Sequence, residues 1–216
     1  MKPFTLSRLL LCVLFCTVLV GTPGRAQEEP KASPATGNPM ENAEMMKQMM
    51  ELSKTNENHK LLASMAGNWT YVNKMTMDPS APPTESTGTA VRKPIMDGRY
   101  FTVDYTGQMK MPGPGGKLKD FEFKGSSTEG YDNVKKKFIA TWCDNMETGI
   151  MVSEGTYDAA TKTFHYTSEY EMMPGMKTKI REVIRIVDAD HHVFEWYENQ
   201  GGQERKTMEI SYTRKK

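Results

Sequence analysis

Few residues in this chain are of types that do chemistry. Its four histidines are His59, His165, His191 and His192. Zinc or haem would need them at ligand spacing or aimed into a pocket. His165 alternates with Phe164 and Tyr166 and is predicted to face outward. His191 and His192 adjoin a turn, and His59 falls in a short helix. No inward axial histidine emerges. Cys143 lies opposite Trp142 in an alternating run with no Cys-x-x-Cys partner, which predicts a lone, inert thiol on the outer face. Gly113-Pro-Gly-Gly-Lys117 lacks the spacing and the Ser or Thr of a phosphate loop and reads as a hairpin connection. There is no Gly-x-Ser-x-Gly. The alternation places no buried carboxylate of the kind that would favour an enzyme. No catalytic set, metal site or cofactor is therefore expected.

Methionine is abundant. There are 18, of which 17 remain if residues 1–26 are removed. Met75-Thr-Met77, Met109-Lys-Met111 and Met172-Met173 offer soft thioethers that suit Cu(I). The plainer reading, that Met fills irregular apolar gaps and lids, is favoured, because the pairs are scattered and no His accompanies them. Lys177, Lys179, Arg181 and Arg185 share one face of a strand. They could attract an anionic lipid or glycan, but read more simply as a solvated exterior. The 28 basic residues fall to 25 without Lys2, Arg8 and Arg25, against 27 acidic ones, for a net charge of −2. So neutral a chain has no global field for nucleic acid.

Several elements must position these residues. Residues 1–26 have the form of a secretory signal: Lys2 and Arg8, then an apolar run from Leu9 to Val20, then Gly24-Arg25-Ala26. That run of 12 is short for a bilayer, so no stable membrane span is expected after cleavage, and the protein is predicted to be exported, periplasmic or secreted. Cys12 and Cys16 leave with it, and the remaining Cys143 cannot form an internal disulfide. Residues 27–39 are rich in Pro and small polar residues and read as a disordered linker. Residues 40–66 form a Met-rich helical segment. Met45, Met49 and Leu52 recur at helical spacing, Asn56 and Asn58 interrupt, Leu61, Leu62 and Met65 come next, and Gly67 stands where a left-handed cap belongs. The helix is expected to cover one mouth of a sheet structure built by the rest of the chain.

From Trp69 the period is two. Strands are predicted over 69–77, 86–93, 99–109, 120–131, 137–143, 150–157, 163–171, 176–187, 192–199 and 203–214, separated by turn residues such as Asp97-Gly98 and Gln200-Gly-Gly202. About ten antiparallel strands with short connections close or curl to remove their edges. Phe101/Val103/Tyr105, Phe121/Phe123, Phe138/Ala140/Trp142, Phe164/Tyr166, Phe194/Trp196 and Met208/Ile210/Tyr212 are assigned to the inside. Glu122, Thr141, His165, Glu195 and Glu209 are assigned outside. Glu129-Gly-Tyr-Asp132 and Glu154-Gly-Thr-Tyr-Asp158 are read as equivalent hairpin chemistry.

The ordered pattern His59-x-Leu61, Gly67-x-Trp69, Met96-Asp-Gly-Arg-Tyr100, Glu129-Gly-Tyr-Asp132, Trp142, Glu154-Gly-x-Tyr-Asp158, Phe194-Glu195 and Tyr212-Thr-Arg214 resembles the bacterial family known as domain of unknown function 1579. The resemblance spans residues 57–214. It implies a calycin-like barrel, similar in architecture to lipocalins, fatty-acid-binding proteins and nitrobindins. It also implies a structural pair at the barrel end, Arg214 stacked over Trp69. It supplies no activity.

The resulting expectation is a mainly β, up-and-down calycin-like barrel (residues 67–214) behind a short Met-rich helical segment. Its leading function is non-enzymatic binding of a small apolar or amphipathic ligand by Tyr105, Phe121, Phe123, Trp142, Tyr166 and Trp196. Three alternatives stand beside it: a filled barrel that offers its Met-rich helix to a protein partner, an enzyme using the barrel cavity, and Cu(I) handling by methionines. No pattern in the sequence specifies an oligomeric state.

Overall fold

In a computed structural model, residues 39–76, 80–200 and 202–216 are described. The predicted signal peptide, nearly all of the linker and Met77 lie outside them. The chain divides into two units, Met1–Asn42 and Ala43–Lys216. Of the first, only residues 39–42, the start of helix α1, are described.

Helix α1 runs Pro39–Leu52 and α2 runs Glu57–Ser64. Asn56 ends the interruption and caps α2. Its side chain accepts from the Asn58 N–H at 3.0 Å, and its own N–H donates to His59 Nδ1 at 3.1 Å. These bonds satisfy donors that the first helical turn would leave open.

Ten strands succeed the helices: β1 Gly67–Met75, β2 Thr84–Ile95, β3 Tyr100–Pro112, β4 Leu118–Asp132, β5 Lys137–Asp144, β6 Met151–Asp158, β7 Thr163–Met173, β8 Met176–Ile186, β9 His191–Gln200 and β10 Gln203–Arg214. Each pairs antiparallel with its sequence neighbour, and β1 pairs with β10. The result is a closed up-and-down barrel, which leaves no free sheet edge. Six strands, β2, β3, β4, β5, β7 and β9, run one to four residues longer than the alternation predicts, because hairpin pairing continues into the turn residues. Pro94 is included, since β2 continues to Ile95.

One local expectation holds and one is corrected. Asp97 and Gly98 do turn the chain, within a three-residue 3₁₀ turn, Met96-Asp97-Gly98, with positive φ at all three residues. Gly67 does not cap α2. The helix ends at Met65 in ordinary right-handed geometry, and Gly67 opens β1 with φ +136°. A Cβ there would lie 2.6 Å from Arg214 Nη1, so glycine admits the guanidinium as well as the backbone angle.

The barrel has two different ends. At one end α2 acts as a plug: Leu62 and Met65 pack with Phe101, Phe138, Phe164 and Tyr166 in one buried cluster. Asn133 holds the end of α1 to this side by donating to the Leu52 and Lys54 carbonyls at 2.7 and 2.8 Å. It is α2 that covers a mouth. Met45, Met46, Met49 and Met50 of α1 are exposed.

Arg214 completes the plugged end. It stands opposite Trp69 in the β1–β10 register, with its guanidinium carbon 4.2 Å from the indole centroid. It donates to the carbonyls of Ala66, Ser64 and Ala189 at 2.6, 3.0 and 2.9 Å. One side chain thus ties the exit of α2, the first strand and the β8–β9 turn to the last strand.

Candidate functional site

The interior is layered. Above the plug lies a polar layer that alternation left unassigned. Arg92 on β2 and Glu129 on β4 both point inward and form an ion pair, with side chains only 7% and 9% exposed. One nitrogen of that guanidinium, Nη1, is buried with no partner among the described residues. Glu182 on β8 is also buried. It accepts from Ser153 Oγ at 2.6 Å and from Ser168 Oγ at 3.4 Å. Burial holds its carboxyl above the usual carboxylate range, against the two serine hydrogen bonds, and the Glu129 charge adds to the rise.

Tyrosines complete the layer. Tyr105 and Tyr212 share a hydrogen bond, and Tyr71 donates to the Thr106 carbonyl at 3.3 Å. Burial pushes the phenols of Tyr105, Tyr166 and Tyr212 upward, so all three are neutral at physiological pH. His192 lies against Tyr212, ring centroids 4.3 Å apart and 8° from parallel, and edge-on to Trp69 at 4.4 Å. Burial first, then the charges of Arg92 and Arg214, lower its pKa to about 3, and its Nδ1 has no partner among the described residues. An inward histidine therefore exists where the sequence pattern predicts none. The alternation contains it, since His192 shares its face with Phe194 and Trp196, but its place second in β9, directly after a turn, hides it.

Beyond this layer the walls become apolar and half-exposed toward the end opposite α2. Trp142 lies edge-on to Tyr105 at 5.1 Å and stacks with Phe123 at 6.2 Å. Gly125 makes room for it: a Cβ there would sit 2.6 Å from the indole. Trp196 neighbours Phe194 at 6.5 Å, and Phe121 stands nearer the rim on β4. Met75, Met109, Met111, Met151 and Met208, from five positions on four strands, are half-buried at the same end. The Met-x-Met doublet of β3 is thus strand alternation that puts both thioethers on the inner face. At the rim Tyr170 donates to Glu147 at 2.6 Å. That bond, burial, and the charges of Glu147, Asp144 and Glu198 raise its pKa to about 12.

The six residues predicted to line the interior therefore separate. Tyr105, Phe123 and Trp142 form one contiguous group. Phe121 and Trp196 lie at the same end on other strands. Tyr166 belongs to the plugged-end cluster, against Phe164 at 6.1 Å.

Outside, Cys143 and His165 are exposed. His59 is buried in α2 as a capping partner. The basic row of β8 is matched by acids on its neighbours, Lys177 with Glu169 at 3.2 Å and Arg181 with Glu204 at 2.6 Å. A groove of about 650 Å³ crosses the outer faces of β10, β1, β2 and β3, with Thr70, Thr87, Thr89, Thr106 and Thr213 in its lining. Among the described residues no three His, Cys, Asp or Glu side chains are placed to hold a metal ion, and no helix is long and apolar enough to cross a membrane.

A family model described as "Protein of unknown function (DUF1579)" matches residues 54–214. The chain belongs to the DUF1579 family. The match begins just before α2 and ends at Arg214, so the DUF1579 unit comprises the plug and the whole barrel. A solved structure of an S-type phycobiliprotein lyase from Guillardia theta is similar over 78% of this chain and 97% of its own, at 12% identity and a TM-score of 0.49. No curated protein matches.

Proposed function

We propose that this DUF1579 barrel binds a small amphipathic molecule without transforming it, admitting it through the mouth opposite α2. The observation that carries this reading is the half-buried aromatic wall of Phe121, Phe123, Trp142 and Trp196 above a buried polar layer. Aromatic rings supply large apolar contact area with little rotamer freedom to lose. The methionines of the rim adapt their shape to the molecule that enters. The polar layer orients the ligand's head. Its two carboxylates are already engaged, Glu129 by Arg92 and Glu182 by two serines, which favours recognition over proton transfer.

Non-denaturing mass spectrometry of protein purified gently from its own cells tests this. An adduct lost on denaturation, and weakened by Trp142→Ala in a variant that keeps its circular dichroism, is expected. A bare polypeptide mass together with no binding of any amphiphile by the purified protein would overturn it.

A second reading rests on the exposure of Met45, Met46, Met49 and Met50 along α1. These would present an apolar face to a protein partner, with the barrel as a scaffold. Protection of α1 from protease in cell extract but not in the pure protein would favour it. We also propose export, with cleavage after Ala26. The mature N-terminus should then be Gln27, and intact mass decides.

A further inference from the structure

The charge inventory of the barrel interior points to the chemical class of the ligand, an inference that rests on the binding role proposed above. Arg92 is the buried cation of the polar layer, and Glu129 already neutralises it. Glu182 is a second buried carboxyl in the same layer, and Asp144 stands half-buried on the inner face of β5 toward the mouth. His192 is neutral and supplies no positive charge. An entering carboxylate would have to displace Glu129 from Arg92 while losing its own hydration. A neutral oxygen meets no such opposition. The buried, partnerless Nη1 of Arg92 offers it a charge-assisted hydrogen bond, and leaving that donor unmet is itself costly.

We propose that the barrel selects an uncharged amphiphile, whose carbonyl- or hydroxyl-type oxygen accepts from Arg92 Nη1 while its apolar body lies along Phe123, Trp142 and Trp196, and that it discriminates against the corresponding carboxylate. Glu129 is then the specificity-determining residue. It does not repel the ligand directly but occupies the cation a carboxylate would need.

Matched probes test this. Dodecanamide and dodecanoic acid differ in the head group alone, and quenching of tryptophan fluorescence tracks their binding at pH 7.5. The amide should bind at least about tenfold more tightly to the wild-type protein, the ratio that one net charge-assisted hydrogen bond supplies. Glu129→Gln removes the competing charge, so the acid should gain about tenfold or more while the amide changes less than about threefold. Equal or tighter binding of the acid by the wild type overturns the proposal even if Glu129→Gln does not fold. So does a folded Glu129→Gln variant with an unchanged preference. Both results would leave ligand binding itself intact. Binding of neither probe, nor of dodecanol, removes the binding role and this inference with it.

Discussion

Replacing Arg92 by Met should expose how much the interior depends on one ion pair. Arg92 and Glu129 have side chains 7% and 9% exposed. Met approximates the length of the arginine stem, so the variant removes the charge with little loss of volume. Glu129 would then be a buried carboxylate without its cation, and stripping one partner from such a pair costs about 3–5 kcal/mol. With a urea m-value of about 2 kcal/mol per M, the unfolding midpoint should fall by about 1.5–2.5 M. The double variant Arg92→Met/Glu129→Leu leaves no buried charge at this position. It should recover most of the loss, because an apolar pair of similar volume is neutral or better. Urea unfolding monitored by tryptophan fluorescence, arranged as a double-mutant cycle, reads the coupling directly. The reasoning fails if Arg92→Met shifts the midpoint by less than about 0.5 M, or if the two single costs simply add. Either result would mean that water entering through the mouth already solvates the pair.

The same interior sets three further outcomes. His192 has a pKa of about 3 folded and 6.5 unfolded, so the unfolded chain protonates first as pH falls. The stability this group contributes is complete above pH 6.5 and is lost toward pH 3, by at most about 4–5 kcal/mol. His192→Phe should flatten that part of the curve, and parallel curves for the two proteins would contradict the assignment. Glu182 has a raised folded pKa, so its cost is absent in acid and grows as pH rises above its ordinary value near 4.5. Glu182→Gln should therefore be more favourable relative to wild type at pH 8 than at pH 4.5, and a pH-independent difference would refute this. In Gly155→Ala the new Cβ would lie 2.5 Å from the Tyr166 ring and 2.8 Å from the His165 carbonyl. Overpacking of this kind costs about 1–3 kcal/mol, which calorimetry would show as a Tm lower by about 2–12 °C. An unchanged Tm would mean that Tyr166 moves aside freely.

The barrel was legible because most strands repeat an apolar residue at every second position, as in Phe101/Val103/Tyr105. The polar layer was not, although the same rule contains it. Phe121, Phe123, Gly125, Ser127 and Glu129 continue one face of β4 into the interior, but the apolar signal stops at Phe123. The motif resemblance between Glu129-Gly-Tyr-Asp132 and Glu154-Gly-Thr-Tyr-Asp158 misled further. Their aspartates are equivalent. Asp132 accepts from the N–H groups of Val134 and Lys135, and Asp158 from the N–H of Ala160 and the hydroxyl of Thr161. Counted back from those aspartates, however, Glu129 lies three residues away and Glu154 four. One inserted residue reverses the face in a strand. Glu129 therefore enters the barrel to meet Arg92, whereas Glu154 stays outside with Lys135 at 2.9 Å. Gly130 and Gly155 exchange roles in the same way, the first under Tyr100 and the second under Tyr166.

Closure by β1 and β10 also bears on how the molecule comes to be folded. Thr70 meets Thr213 across that seam, 143 residues apart in the chain, and Arg214 reaches back over Trp69. Neighbouring hairpins can form as soon as their strands exist, but the ring cannot shut until β10 is present. Until then two strand edges and the aromatic interior remain open to other chains. The final seam joins the two most distant strands of the ring, so it closes after the hairpins between them have formed. A chain threaded across a membrane before folding would meet that step only on the far side, whereas one retained inside would meet it as soon as β10 is complete. The last twelve residues of the barrel, Gln203–Arg214, thus act as a timing element as well as a wall.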